Sequence, residues 1–186
     1  MFKPTVLSNF VSEKDNARLL EIINEKESAG LLGQTTTGDV KIDGRHMLWN
    51  EQDPEWWGIL RPYIKKIIDG YGNPNLVPHD IAMLKYYPGP GMGLHSDQDC
   101  PCAGMCHLTS VIYLNDDYDG GEVVFPWIAK EYKLNAREAM VFPQHEKVAD
   151  HAIKPIKSGN RYAIITCYSE HKEMLRPFHA DFYLDE

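Results

Sequence analysis

The spacing of apolar residues changes near residue 80, from helical periodicity before it to short strand-like runs after it. Two stretches before that point, beginning at Ser12 and at Asp53-Pro54, have the apolar spacing of amphipathic helices. Ser and Asp are favourable N-caps, and Pro is favourable at the first helical position. Gly30 is the predicted end of the first helix. Pro62 lies inside the second stretch and predicts either a kink or a division into two helices.

The runs after residue 80 are apolar or alternating and are separated by turn sequences. They are Ile81 to Tyr87, Thr109 to Leu114, Glu122 to Phe125, Glu138 to Phe142 and Arg161 to Tyr168. Short strands with regular turns predict an antiparallel sandwich or barrel. Helices followed by strands predict an α+β, mainly β fold with the N-terminal helices packed on one sheet. Residues 31–52 are polar and turn-rich, which predicts a strand and an exposed loop, with a lid as one interpretation.

The length of 186 residues predicts a single domain over residues 1–186, with a helical part at about 10–75 and a β core at about 80–170. The net charge of −8 argues against a general nucleic-acid or anionic-membrane surface. The sequence contains no apolar run long enough to span a membrane, and its N-terminus lacks the apolar centre of a signal peptide. We therefore expect a cytoplasmic protein whose four cysteines are free thiols or metal ligands.

The first candidate for chemistry is His95-Ser96-Asp97, which follows a glycine-rich run. On an extended backbone, residues i and i+2 point to the same face, so His95 and Asp97 can present ligands to one point. A second histidine would complete the 2-His-1-carboxylate arrangement that holds Fe(II) and leaves coordination positions open. The candidates for this third ligand are His107, His145, His151, His171 and His179. His151 is favoured because Arg161 follows it by ten residues.

Arg161 begins a very apolar strand, where a charge would be costly to bury without an anion. A guanidinium at the base of a pocket is suited to bidentate pairing with a carboxylate. Together with a metal, it predicts a dicarboxylate cosubstrate that chelates iron at one end and pairs with Arg161 at the other. The alternative is an edge-strand arginine that faces water.

Two other motifs could bind a metal. A second His-x-Asp triplet, His179-Ala180-Asp181, has no histidine after it and is interpreted as a surface-loop pair. Cys100, Cys102, Cys106 and His107 lie within eight residues and could bind Zn(II). Their spacing is not a standard zinc pattern, so free thiols are the preferred interpretation.

Several of these pieces, taken in order, resemble the 2-oxoglutarate- and Fe(II)-dependent oxygenases, specifically the prolyl 4-hydroxylase-like group that includes the hypoxia-sensing enzymes. The resemblance spans roughly residues 80–170. It rests on His95-x-Asp97, Val111-Ile-Tyr-Leu-Asn115, Gly120-Gly-Glu-Val-Val-Phe-Pro126, Ala139-Met-Val-Phe142, His151 and Arg161-Tyr-Ala-Ile164.

The resemblance implies a double-stranded β-helix, which is a distorted jelly roll. It implies that His95, Asp97 and His151 bind Fe(II), that Arg161 and Tyr113 bind the distal carboxylate of 2-oxoglutarate, and that Tyr87 lines the cosubstrate pocket. L-Ascorbate is a possible further cofactor. Cys167 falls where these enzymes often have Trp on the substrate side of the pocket, which makes it a candidate substrate-side residue.

The leading functional hypothesis is a dioxygenase that hydroxylates a peptide or protein, at proline, with release of succinate and CO2. One alternative is a nucleic-acid demethylase of the same superfamily, because the His95-Ser96-Asp97 triplet resembles that of those enzymes. They have a second Arg at the position of Cys167, however, and this chain is acidic. The other alternative is a non-catalytic jelly-roll binding module, in which the His and Asp residues would be incidental.

Overall fold

The computed structural model describes residues 2–37, 40–48, 54–99, 105–144 and 147–172. Its helices are α1 (Glu13–Ser28) and α2 (Pro54–Tyr71). Its strands are β1 (Thr5–Leu7), β2 (Gly33–Thr37), β3 (Val40–Leu48), β4 (Val77–Tyr86), β5 (Met92–His95), β6 (Leu108–Tyr113), β7 (Asp119–Gly120), β8 (Val123–Phe125), β9 (Lys130–Tyr132), β10 (Ala139–Pro143), β11 (His151–Ile153), β12 (Ile156–Ser158) and β13 (Arg161–Ser169).

Helix α1 begins at the predicted cap. The backbone N–H of Asp15 donates to Oγ of Ser12 at 3.1 Å, which satisfies one of the N–H groups that a helix start leaves open. The hydroxyl of Tyr63 in α2 donates to the Asp15 carboxylate at 2.5 Å, so the cap also joins the two helices. The helix ends just before Gly30, whose φ is +70°.

Helix α2 runs without interruption through Pro62, so of the two predicted outcomes, a kink or a division, the division does not occur. A proline inside a helix removes one backbone hydrogen bond and crowds the preceding turn. That local cost is offset by the burial of an apolar stripe on both sides of Pro62. The stripe consists of Trp56, Leu60, Tyr63, Ile64, Ile67 and Ile68.

The strands form two main antiparallel sheets. The larger sheet has the order β1-β10-β6-β13-β4-β3-β2, and the smaller has the order β5-β11-β8-β9. A further pair, β12 and β7, joins the segments that connect the sheets. Four predicted strand runs lie in the larger sheet and one in the smaller, and the predicted mainly β fold with N-terminal helices is confirmed.

Each face of the larger sheet has its own apolar core. One core lies against α1 and α2 and includes Ile81, Met83, Ile112 and Ile164. The other lies between the two sheets and includes Ala82, Leu84, Tyr86, Val111, Tyr113 and Ala163. Because successive residues of a strand point to opposite faces, neighbouring positions of β4, β6 and β13 contribute to different cores. The inner face of the sheet is therefore available for a site.

Residues 31–52 contribute more strand than expected. They contain β2 and β3, which extend the larger sheet beyond β4, and Arg45 pairs with Tyr86 in that register. The interpretation of this segment as a lid stays a prediction. Across the part of the chain that the structure describes, α1 and α2 included, no helix combines the length and the apolarity needed to cross a membrane.

Candidate iron and cosubstrate site

The three predicted metal ligands come from adjoining parts of the smaller sheet. His95 ends β5 and His151 begins β11, and the two residues are direct partners in the antiparallel register. Asp97 follows His95 in a short 3-10 turn. Residues 56 positions apart in the chain thus become neighbours through strand pairing.

The ligand atoms of these residues converge. Nε2 of His95 lies 3.5 Å from Oδ1 of Asp97, and Nε2 of His151 lies 3.9 Å from the same oxygen. The ligand atoms of all three residues lie within 4.8 Å of one another. Two imidazoles and one carboxylate at this spacing fit the ligand set of a facial Fe(II) site with open positions.

Backbone carbonyls orient both imidazole rings. Nδ1 of His95 lies 2.9 Å from the carbonyl oxygen of Gly93, and Nδ1 of His151 lies 3.0 Å from that of Ala149. A carbonyl can only accept, so Nδ1 carries the proton in each ring and the Nε2 lone pair points at the shared position. The ring of His151 also packs against Phe125 and Phe142, at centroid distances of 5.5 and 5.1 Å.

Thr109 and Gln144 hold the carboxylate of Asp97 from the other side. The Thr109 hydroxyl donates to Oδ2 at 2.8 Å, and Nε2 of Gln144 donates to the same oxygen at 2.7 Å. Oδ1 is left facing the imidazoles. Burial alone would raise the pKa of Asp97, but the charge that His151 and His95 carry when protonated at acid pH and the hydrogen bond from Thr109 outweigh it and lower the pKa to about 2. The carboxylate is therefore ionised, as a metal ligand must be.

Arg161 begins β13 and lies on the inner face of the larger sheet, with only 1% of its surface exposed. Its guanidinium lies 4.8 Å from the ring centroid of Tyr86 and 4.7 Å from that of Tyr113. Its Nη2 donates to the Tyr113 hydroxyl at 2.8 Å, while Nε and Nη1 have no hydrogen-bond partner among the described residues. Buried donors without partners are rare in folded proteins. Two such donors on one guanidinium are suited to hydrogen bond with the distal carboxylate of 2-oxoglutarate.

The structure places Tyr87 away from this pocket. Its hydroxyl donates to the carboxylate of Glu27 in α1, and the Nζ of Lys85 donates to the other oxygen of that carboxylate at 2.5 Å. Tyr87 and Lys85 share a face because they are two residues apart. Of the adjacent residues Tyr86 and Tyr87, Tyr86 lies on the opposite face and contacts Arg161.

Two of the four cysteines, Cys106 and Cys167, are buried in the described part of the chain. Cys167 lies on β13, six residues after Arg161. Sγ of Cys106 lies 3.4 Å from the carbonyl oxygen of Leu108. Nδ1 of His107 lies 3.0 Å from the carbonyl oxygen of Met105, and among the described residues no third ligand group lies with Cys106 and His107, so the Zn(II) interpretation stays a prediction. Cys100 and Cys102 lie outside the described residues, as do His145 and the triplet at residues 179–181.

Three side chains of the site were not predicted from the sequence: Thr109, Gln144 and Tyr118. Thr109 was assigned only to a strand, and Gln144 follows β10, 47 residues from the carboxylate it contacts. Tyr118 precedes the Gly120-Gly121 turn, and its hydroxyl lies buried near Arg161. The Asn115-Asp116-Asp117-Tyr118 turn marks a connection between strands but does not indicate the direction in which that tyrosine points.

Two imidazoles and a carboxylate that converge, together with a buried arginine on the inner face of the larger sheet, are the arrangement expected for an oxygenase site in a jelly roll. The comparison with known families agrees. Residues 81–169 match the family described as the 2OG-Fe(II) oxygenase superfamily, and this part of the chain is a 2OG-Fe(II) oxygenase domain. That family uses Fe(II) and 2-oxoglutarate, and the predicted enzyme class, a 2-oxoglutarate-dependent dioxygenase, is confirmed.

Individual relatives extend the similarity beyond this segment. A protein of Prochlorococcus marinus (strain MIT 9312), named as a PKHD-type hydroxylase, is 27% identical over 157 residues, which are 79% of this chain and 69% of the relative. The crystal structure of a Pseudomonas putida prolyl-4-hydroxylase aligns with a TM-score of 0.71 and 18% identity, over 91% of this chain and 93% of that one.

A prolyl hydroxylase from Trichoplax adhaerens, in complex with a peptide fragment of the hypoxia inducible factor oxygen degradation domain, aligns with a TM-score of 0.70 and 19% identity. That alignment covers 92% of this chain and 85% of the other. At these identities the structural similarity concerns the fold, and the jelly-roll prediction is confirmed.

Proposed function

We propose that this protein hydroxylates a prolyl residue in a peptide or protein with Fe(II) and 2-oxoglutarate. One oxygen atom of O2 enters the prolyl residue. The other enters succinate, which forms from 2-oxoglutarate with release of CO2. The observation that carries the proposal is the pair of unpartnered nitrogens of buried Arg161 on the inner face that also faces the ligand triad.

In this proposal His95, Asp97 and His151 would hold Fe(II). Three protein ligands leave the remaining positions open to the cosubstrate and to O2. Fe(II) in that site supplies the activation of O2 that is coupled to the decarboxylation of 2-oxoglutarate. Thr109 and Gln144 hold the carboxylate of Asp97, and partners of this kind are important for metal affinity.

Arg161 and Tyr113 anchor the far end of the cosubstrate. Burial opposes the charge on Arg161, but the surrounding tyrosines outweigh it and raise the pKa of the guanidinium. Burial also raises the pKa of Tyr113, partly offset by the charge of Arg161, so the hydroxyl keeps its proton at neutral pH. Tyr113 accepts from Arg161 and can therefore donate to a carboxylate oxygen.

The choice of a prolyl substrate is supported by the names of the structural neighbours. Two of them are prolyl hydroxylases, and one was solved with a peptide bound. Tyr86 takes the cosubstrate-side role first expected of Tyr87, because it contacts the guanidinium. Cys167 stays a candidate for the substrate side, since it shares the inner face of β13 with Arg161.

The test uses pairs of peptides that differ only by Pro or Ala at one position, incubated with the protein, Fe(II), 2-oxoglutarate and ascorbate. We expect mass spectrometry to detect the gain of one oxygen atom in the proline peptide alone, together with succinate. The Asp97→Ala variant, which lacks one iron ligand, should give neither product.

Other outcomes would contradict the proposal in different ways. Succinate formed with loss of a methyl group from DNA or RNA, and without prolyl oxidation, would favour a demethylase. The absence of iron-dependent succinate under all conditions would favour a binding module.

A further inference from the structure

Tyr118 is a third buried tyrosine near Arg161, in addition to Tyr86 and Tyr113. Tyr118 is 7% exposed, and its hydroxyl forms no hydrogen bond of normal length and angle with a described residue, although it lies near enough to Arg161 for a weak one. A buried hydroxyl without a partner is costly, so its position needs an explanation. It lies close enough to Arg161 for the guanidinium charge to act on it. Burial raises the pKa of Tyr118 to about 12, with Arg161 partly opposing the rise.

Gly121 brings the two side chains together. A Cβ atom at this glycine would lie 3.0 Å from Cε2 of Tyr118 and 3.3 Å from Cδ of Arg161. The φ of Gly121 is +70°, a conformation that other residues rarely adopt. The tyrosine ring and the arginine stem can therefore share a space that a larger residue at this position would fill.

Lys133 holds Tyr118 from another side. Its Nζ lies 3.9 Å from the ring centroid, and it donates to the carbonyl oxygens of Tyr118 and Gly120 at 2.8 Å each. A cation over the ring and two hydrogen bonds to the backbone limit the motion of the side chain. The unpartnered hydroxyl is thus held in position before any ligand arrives.

We infer that Tyr118 donates its hydroxyl hydrogen to the distal carboxylate of 2-oxoglutarate, alongside Arg161 and Tyr113. The inference rests on the proposed function and adds a third anchoring residue to that site. An ionised carboxylate offers about four acceptor positions. Nε and Nη1 of Arg161 account for two donors, and the two tyrosine hydroxyls supply two more. Tyr118 is therefore a specificity-determining residue that favours keto acids with a second carboxylate.

The test compares two keto acids of equal length, 2-oxoglutarate and 2-oxopentanoate, of which only the first has the second carboxylate. Their affinities are measured by calorimetry with Mn(II) in place of iron, so that no turnover occurs. The variant is Tyr118→Phe, which removes only the hydroxyl. The matched control is Tyr162→Phe, because the Tyr162 hydroxyl lies 3.5 Å from Asn24 of α1, on the helix side of the sheet.

We expect Tyr118→Phe to lower the affinity for 2-oxoglutarate roughly tenfold or more, as the loss of a hydrogen bond to a charged group predicts. Affinity for 2-oxopentanoate and for Mn(II) should be unchanged, and Tyr162→Phe should bind both acids as the wild type does. A second variant, Lys133→Met, keeps the Tyr118 hydroxyl but removes the cation and the hydrogen bonds that hold Tyr118 in place. We expect it to lower the affinity for 2-oxoglutarate by less than Tyr118→Phe does and to leave the affinity for 2-oxopentanoate unchanged.

Two results would overturn the inference while leaving the proposed function standing. One is unchanged 2-oxoglutarate affinity in Tyr118→Phe, and the other is an equal loss for both keto acids, which indicates a structural role. If the wild-type protein with Mn(II) binds no 2-oxoglutarate, both the proposed function and the inference are wrong.

Discussion

Arg161 is a buried cation that forms no ion pair with any residue in the described part of the chain. Isolated buried charges destabilise a fold, and replacing them with apolar groups of similar size is often neutral or stabilising. The sequence predicted this burial, because an arginine begins a very apolar strand. The tyrosines around it could not be predicted in the same way, since Tyr86 and Tyr113 reach the guanidinium from two other strands.

This conflict between stability and binding predicts opposite effects of one substitution. Arg161→Met should leave the melting temperature of the ligand-free protein unchanged or raise it, because the uncompensated charge is removed. The same variant should lose the stabilisation by 2-oxoglutarate, which for the wild type amounts to about 2.7 kcal/mol at a ligand concentration of 100 times Kd. Thermal unfolding with and without 2-oxoglutarate, in the presence of Mn(II), measures both effects. A large drop in the ligand-free melting temperature would contradict this explanation.

At the scale of single elements, adjacent tyrosines show what sequence patterns leave open. Tyr86 and Tyr87 end the same strand-like run, and either could have faced the pocket. A shift of one residue moves a side chain to the opposite face of a sheet. The pairing of Arg161 with Tyr86 in the register of β13 and β4 determines the outcome.

Strands were predicted most completely where they are apolar and least completely where they are short or polar. β9 and β12 have only three residues each and are mostly exposed. β3 has nine residues but a polar sequence, and it forms by pairing with β4. Such strands depend on their neighbours in the sheet, so periodicity within the segment does not indicate them.

The cap of α1 was predicted from the sequence, and its second role as a link to α2 became visible only in the structure. Ser12→Ala should lower the free energy of unfolding by about 1 kcal/mol, because the N–H of Asp15 loses its acceptor. Urea denaturation measures this difference, and 2-oxoglutarate affinity should not change because the cap lies outside the pocket. Ser8→Ala is a suitable control, since the exposed Ser8 donates its hydroxyl hydrogen to Glu138. An equal loss in both variants would argue against the cap as the cause.

The hydrogen bonds to Asp15 also predict a pH dependence of stability. Those from Tyr63 and Ser12 lower the pKa of Asp15 below its ordinary value. The stabilisation is therefore complete above the ordinary pKa of the unfolded chain and is lost as the pH falls through the folded value. The stability difference between the wild type and Asp15→Asn should shrink in that acid range. A difference that stays constant with pH would contradict this assignment.

At the scale of the whole molecule, one face of the larger sheet serves packing against the helices and the other face serves the candidate site. Its outer face packs on α1 and α2, and its inner face meets the smaller sheet around the metal ligands and Arg161. The order of helices and strands in the sequence predicted the first layer. The second layer depends on pairing between segments far apart in the chain, of which His95 with His151 is the decisive example. The position of Arg161 ten residues after His151 and the resemblance of the ordered motifs to a family were the two signals that made that pairing foreseeable.

Neighbouring residues of β13 allow this separation to be tested. Ile164 is fully buried on the helix side and Ala163 is fully buried on the inner side, opposite Tyr113 in the register with β6. Ile164→Ala should destabilise the fold by about 2–5 kcal/mol, because it leaves a cavity in the core. The folded fraction should still bind Mn(II) and 2-oxoglutarate normally.

Ala163→Leu should cost only about 1–3 kcal/mol of folding stability through overpacking, yet it should weaken 2-oxoglutarate binding by crowding Tyr113. Chemical denaturation and calorimetry on both variants give the two quantities independently. If Ile164→Ala lost ligand affinity as strongly as Ala163→Leu, the two faces would be coupled and the division of tasks would be wrong.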